Sequence, residues 1–358
     1  MGNLLNKDKL KNIGIRTAGT LTIPVVMCAV LLIICAAGGK TLFSSSLLFS
    51  NFVSYAAIVM LTTFALSINL GSGRFDFSLG SIATLSAIIS AQLSYKMMAG
   101  GSGSAFVMLL LCIVVGAILG GISGGLYVLL KLPPIITSLG VTLIYEGVSF
   151  VLTGGSYVMS EVRNDSMTNF NNGWYYSFII IIIALALIYF IFDRTNFGYK
   201  YKALREGQNV SVNTGIKEVS NAVWCYVICG ALMGTVGFIQ AARNTLISSS
   251  VLNFGSISIM FTAFLPMFIG GFIGRFSNDK LGYLLAAICM SMLNSVFALF
   301  SAEVDATTQS IITAVMLVVF LIFLNNEQLC KDIVTLRIFK KWREKLKNKT
   351  DNKKKENA

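Results

Sequence analysis

Apolar residues in this chain come in long unbroken runs, not in the three-to-four spacing of a surface helix or the alternation of a half-buried strand. Runs of about 20 mostly apolar residues, the length that crosses a bilayer as a helix, fall at 20–39, 47–70, 78–95, 105–130, 134–152, 177–192, 219–241, 256–273, 281–300 and 307–324. The run 78–95 is Ser-rich and 177–192 is short but intensely apolar. The pattern predicts an all-α, polytopic bundle of about ten transmembrane helices. It divides into an N-terminal segment 1–19, a membrane domain 20–324 and a basic tail 325–358.

The polar breaks test that count, because cytoplasmic loops concentrate Lys and Arg. With the first segment inside, the alternating inside segments 1–19, 71–77, 131–133, 193–218, 274–280 and 325–358 hold 24 of the 28 basic residues. Only Lys40, Lys96, Arg163 and Arg243 fall outside. Dropping one early span would destroy this asymmetry, so both termini are expected in the cytoplasm. The first run follows Lys7, Lys9, Lys11 and Arg16 and resembles a signal peptide. Nine further spans need it for orientation, which favours an uncleaved helix.

Composition agrees. Hydrophobic residues make up 55% of the 358 and charged ones 12%, against about a quarter charged in a soluble domain; mean hydropathy is +0.75. The net charge of +12 gathers at loops and tail, where anionic lipid heads account for it, and implies no nucleic-acid partner. Histidine is absent, which excludes Ser-His-Asp and Cys-His nucleophiles and His-ligated metals. No catalytic or metal-binding set is expected. The seven cysteines lie mostly in apolar runs and read as packing residues; Cys225 and Cys229 share a helical face but make a poor metal site. No Gly-x-x-x-x-Gly-Lys-[Ser/Thr] loop occurs, so no ATP is bound through one here.

Three stretches carry candidate chemistry. In 69–81, glycines flank polar groups between two spans. Asp76 or Ser78 can cap the third helix, or, with Asn69, line a polar path where irregular backbone must be satisfied by protein or water. In 131–147, Pro133 and Pro134 mark a helix start. Thr137 and Ser138 follow, and Glu146 is the one carboxylate inside an apolar span, either paired in the interior or solvated near the outer rim. In 193–218, glycines 198, 207 and 215 punctuate a basic loop with a short helix from about Gln208 to Thr214 and Gly215 at its C-terminus.

Gln240, Asn294 and Gln309 in later spans serve either as interhelical glue or as solute contacts. Gly116, Gly120 and Gly124 form one small-residue ladder, and Gly230 with Gly234 another, each fit for close packing against a helix of this or another chain. The external loop 153–176 carries Asn164, Asp165, Asn169, Asn171 and Asn172, a candidate docking surface, then Trp174 to Tyr176, an interfacial aromatic belt. Leu79-Gly80-Ser81-Ile82 is echoed by Phe254-Gly255-Ser256-Ile257, at spans of opposite direction.

Taken in order, these stretches resemble the permeases of the ribose/galactose/xylose branch of ABC sugar importers. The family's Gly-x-Asp-x-Ser-x-Gly-Ser is matched by Phe75-Asp76-Phe77-Ser78-Leu79-Gly80-Ser81, with Arg74 where a small residue is common. Its Pro-Pro-x-Ile-x-Thr-Leu-Gly is matched at Pro133 to Gly140, its Thr-Gly-Gly at Thr153 to Gly155, and its Phe-Gly loop at Phe197, Gly198, Ala203, Gly207, Asn209, Gly215 and Ile216. The resemblance covers roughly 45–325. It implies that 203–216 holds the coupling helix, with Ala203, Arg205, Glu206, Gly207, Asn209, Thr214, Gly215 and Ile216 facing a cytoplasmic ATPase that binds ATP and Mg. It further implies a solute-binding protein outside, a second permease copy or paralogue, residence in the bacterial inner or plasma membrane, and pseudo-symmetry between helices 2–5 and 7–10. The chain departs from the pattern at Glu146-Gly147, where Arg-Gly is common, and at 269–275. A nucleoside or polyol is thus an alternative cargo, and an ion-coupled carrier an alternative machine.

Overall fold

The computed structural model describes residues 2–97, 105–155, 170–244, 249 and 252–325, with backbone alone at 2–15 and 208–210. Most of the polar part of loop 153–176 and the tail beyond 325, Cys330 included, lie outside the described residues. Among those described there are thirteen helices and no strand. They are α1 (Gly2–Ala37), α2 (Ser46–Gly71), α3 (Leu79–Met97), α4 (Ala105–Leu130), α5 (Pro134–Thr153), α6 (Trp174–Arg194), α7 (Asn196–Glu206), α8 (Gln208–Asn213), α9 (Glu218–Arg243), α10 (Ile257–Phe261), α11 (Phe264–Gly274), α12 (Asp279–Leu299) and α13 (Ala306–Asn325). The chain divides into two units, Met1–Val304 and Asp305–Ala358; α13 belongs to the second.

Among the described residues, nine stretches of helix are long and apolar enough to cross a membrane, and the chain is a multi-pass membrane protein. The tenth expected span is α3, 19 residues long and rich in Ser and Ala. Most of it is buried among other helices, so hydroxyls bonded to its own carbonyls (Ser86 to Ala83, Ser94 to Ala91) meet protein and not lipid. The expected span 256–273 is broken into α10 and α11 around Thr262 and Ala263.

The core pairing is α4 along α9, and the two glycine ladders are each other's partner. A Cβ on Gly120 would stand 2.2 Å from the Tyr226 carbonyl oxygen, one on Gly230 2.2 Å from that of Gly116, and one on Gly234 2.0 Å from that of Cys112. The backbones touch because no side chain intervenes. α2 fills the groove on the other side, where the Cys229 thiol donates to the Ala65 carbonyl at 3.3 Å. Cys112, Cys225, Cys229 and Cys289 are buried and free, and no metal-binding group occurs among the described residues.

Segments assigned to one side by charge meet one another. Arg74 pairs with Glu218 at 3.1 Å, Arg205 with Asp279 at 3.5 Å, and Asp193 with Lys280. Phe276 packs onto Gly19. At the other end Lys40 pairs with Glu303 at 3.1 Å, and Gln92 donates to the Leu152 carbonyl at 2.9 Å. α3 reaches this second end, but it begins inside the bundle: the Ala83 carbonyl abuts Gly237, about 28 Å along α9 from its first residue at 1.5 Å per residue.

Candidate functional site

The interior start of α3 is built from its own neighbourhood. The Asp76 carboxylate, 1% exposed, accepts the Ser78 N–H at 2.8 Å and the Ser78 hydroxyl at 2.6 Å on one oxygen. Its other oxygen accepts the Asn69 amide at 3.1 Å. The Ser78 carbonyl then receives the first helical bond, from Ile82. Asn69 also accepts the Cys229 thiol at 3.4 Å, which ties the cluster to α9. The Ser72, Gly73 and Arg74 N–H groups all return to carbonyls of the last turn of α2, Arg74 to that of Asn69 at 2.9 Å, so the first half of this irregular segment is satisfied by protein.

The start of α10 is held from a distance. Glu146, fully buried on α5, accepts the Phe254 N–H at 2.9 Å, the Ser256 N–H at 2.8 Å and the Ser256 hydroxyl at 2.5 Å. Asn253 and Phe254 both sit at φ +70°, a left-handed backbone that non-glycine residues resist. Around this turn the Phe254 and Ser256 N–H groups converge in the manner of a small anion nest, and the Glu146 carboxylate occupies it. Of the two placements open to Glu146, the interior pairing is the observed one. The two Gly-Ser-Ile motifs meet here: a Cβ on Gly80 would lie 1.9 Å from the Ser256 carbonyl oxygen.

The loop 193–218 carries two helices where the sequence suggested one. The expected short helix is α8, ending on Gly215 at φ +86°, where Gly215 N–H bonds the Val212 carbonyl and Ile216 N–H that of Ser211. The missed helix is α7. Its signal was present: Thr195 caps it by accepting the Gly198 N–H at 3.3 Å, and Phe197, Tyr201 and Leu204 recur at helical spacing. Gly198 does not break this helix; it lets α7 close onto the Phe192 backbone. Tyr201 donates to the Ile68 carbonyl at 3.0 Å, and Ser211 ties α8 to the Ala203 carbonyl at 2.7 Å. Arg205, Glu206, Thr214 and Gly215 are exposed, Ala203, Gly207 and Ile216 half-buried; Asn209 lies on α8. A cavity of about 360 Å³ opens beside α7, lined among others by Ser67, Asp193, Tyr201, Arg205, Asp279 and Tyr283.

Thr137, Ser138, Gln240 and Asn294 do not join these clusters. Thr137 and Ser138 are buried and bond carbonyls of their own turn, at Pro133 and Ile135. Gln240 on α9 and Asn294 on α12 are half-buried, and Gln309 lies on α13 in the other unit. Sequence reasoning missed Ser256 as the ligand of Glu146 and Glu218 as the partner of Arg74, because both contacts span more than 100 residues.

No solved structure matches the chain. Among curated proteins, it is 26% identical over 279 residues to the autoinducer 2 import system permease protein LsrC of Photorhabdus laumondii, covering 75% of this chain and 79% of that one. It is 23% identical to the fructose import permease protein FrcC of Rhizobium meliloti, covering 72% of each. It is 25% identical to the fructose import permease protein FruF of Bifidobacterium longum, covering 70% of each. The family model described as branched-chain amino acid transport system / permease component matches residues 19–321, nearly the whole helical bundle; the chain belongs to this family of membrane-spanning permease components of import systems.

Proposed function

We propose that the chain is the transmembrane permease of an ABC importer that carries a sugar, or a polar solute of similar size, inward by alternating access. The observation that carries this reading is the loop between α6 and α9. α8 and the turn that follows it present exposed Val212, Asn213 and Thr214 on a base fixed to α2 by Tyr201, to α12 by Arg205, and to the 71–78 segment by Glu218. A rigidly mounted, solvent-facing helix suits a docking element for a cytoplasmic ATPase.

In this reading ATP and its magnesium sit on that separate subunit, a solute-binding protein delivers cargo from outside, and two permeases, identical or paralogous, pair in the bacterial cell membrane. Both termini and the 193–218 loop are cytoplasmic by the charge distribution. A pseudo-symmetry between the second to fifth apolar spans (47–152) and the seventh to tenth (219–324) is supported by the facing Gly-Ser-Ile motifs. The relatives named for fructose and autoinducer 2 import favour a sugar-like cargo. Asp76, Ser78 and Glu146 act as anchors of helix starts, not as walls of the solute path, since their polar atoms are spent on the protein itself. That also disfavours an ion-coupled carrier, which needs carboxylates facing a path.

The test is reconstitution of the permease with its co-purifying ATPase and binding protein in liposomes, with radiolabelled fructose, ribose and galactose. ATP-dependent accumulation of one of them is expected. Proton- or sodium-driven uptake by the chain alone would overturn the reading.

A further inference from the structure

The Arg74 side chain takes no part in the bonds that fix either helix start. Its side chain is 4% exposed and its Nη2 donates to Glu218 Oε1 at 3.1 Å, with Glu218 28% exposed at the first residue of α9. Its Nε and Nη1 are buried without an acceptor, as is the Asn221 amide nitrogen one turn further along α9. The guanidinium also lies 5.9 Å from the Tyr127 ring on α4. A buried cation that keeps a counter-charge through one of its nitrogens, while the others stand idle, holds a contact able to shift without breaking. The carboxylate can slide from Nη2 toward Nη1 or Nε and remain paired, whereas full separation would strand a buried charge.

The contact also lies at a junction. Ile216 and Lys217 alone separate the end of the α8 turn from Glu218, so a push on α8 reaches Glu218 at once. Arg74 in turn is fixed by its N–H to the Asn69 carbonyl, two residues before Asp76, whose bonds set Ser78 and the first turn of α3. Gly80 in that turn bears on the Ser256 carbonyl and so on α10.

We propose that Arg74 is a positioning residue that transmits displacement of the α8 loop to the starts of α3 and α10 through a sliding ion pair with Glu218. This rests on the importer reading above. The experiment uses the complete complex in proteoliposomes with radiolabelled fructose, ribose and galactose as probes, measuring uptake and ATP hydrolysis in the same sample for Arg74→Gln, Glu218→Gln, Arg74→Lys and the exchange Arg74→Glu with Glu218→Arg.

Each Gln variant is expected to lower solute carried per ATP at least fivefold while hydrolysis stays within about twofold of wild type. The exchange restores the ratio to within about twofold, and Arg74→Lys, which keeps the charge but not the row of donors, gives a two- to threefold loss. Unchanged ratios in the Gln variants overturn the proposal, as does a parallel loss of uptake and hydrolysis that the exchange does not restore. If the Gln variants fail to assemble, Arg74→Lys decides: a lowered ratio supports the proposal, and an unchanged one overturns it. Absence of ATP-dependent uptake of every probe by the wild-type complex strikes the importer reading itself and takes this proposal with it, a result distinct from uncoupling confined to the variants.

Discussion

α3 and α10 both start in the interior of the bundle on a Gly-Ser-Ile motif, and both starts are fixed by a buried carboxylate that receives a serine N–H and hydroxyl. They differ in where the carboxylate comes from. Asp76 lies two residues before Ser78 and acts within its own loop. Glu146 reaches Ser256 from α5, 110 residues away in sequence, and holds a backbone with two left-handed non-glycine residues. The first start is local and contains no left-handed non-glycine residue. The second exists only once α5 has packed, and the strain at Asn253 and Phe254 must be balanced by the bonds to Glu146.

This difference can be broken from either side. The largest effect is expected from Glu146→Ala, which strands the Phe254 and Ser256 N–H groups and the Ser256 hydroxyl in the core. A loss of about 4 kcal/mol, or on the order of 10 °C in melting temperature, should show in thermal unfolding of the detergent-solubilised protein; a shift under about 2 °C would contradict the anchoring role. Gly80→Ala should come next. Its Cβ would collide with a carbonyl of the facing start, at a cost of about 2–3 kcal/mol, visible as reduced monodisperse protein on gel filtration.

Asp76→Asn keeps the shape of the local anchor and loses its charge, so a smaller cost of about 1–2 kcal/mol is expected. If it equals or exceeds the loss in Glu146→Ala, the ranking of the two starts is wrong. Smallest of all, Phe254→Asn places a residue tolerant of positive φ in the strained position and should raise stability by about 0.5 kcal/mol; a decrease would argue that the Phe254 ring, not its backbone, matters.

The local anchor was visible in the sequence because Asp76 and Ser78 stand two apart at a helix start, a spacing that side chain and backbone can use without any other part of the chain. The same holds for Pro134 opening α5 and for the short helix ending on Gly215, where a left-handed φ calls for glycine. Glu146 was visible only as an anomaly. Its residue type shows that something must neutralise or bond it, yet nothing near it in sequence says what. The glycine ladders behaved alike: their spacing announced close packing, and which helix received them waited on the fold. α7 was hidden for another reason, since Gly198 reads as punctuation when its neighbour, the Phe192 backbone, is unknown.

By itself, then, the sequence determined that this is a bundle of membrane helices, how the segments alternate in charge, and where most helices begin and end. Those properties depend on transfer of each segment between water and lipid and on contacts within a turn or two. Tertiary structure alone decided that α4 seats on α9, that a Ser-rich helix lies shielded in the centre, that Glu146 closes the start of α10, and that Arg74 meets Glu218. The pairing of α4 with α9, Glu146 with Ser256 and Arg74 with Glu218 joins residues more than 100 positions apart, and the shielding of α3 needs α9 together with its nearer neighbours α4 and α5; the energy of each exists only after separate helices have packed.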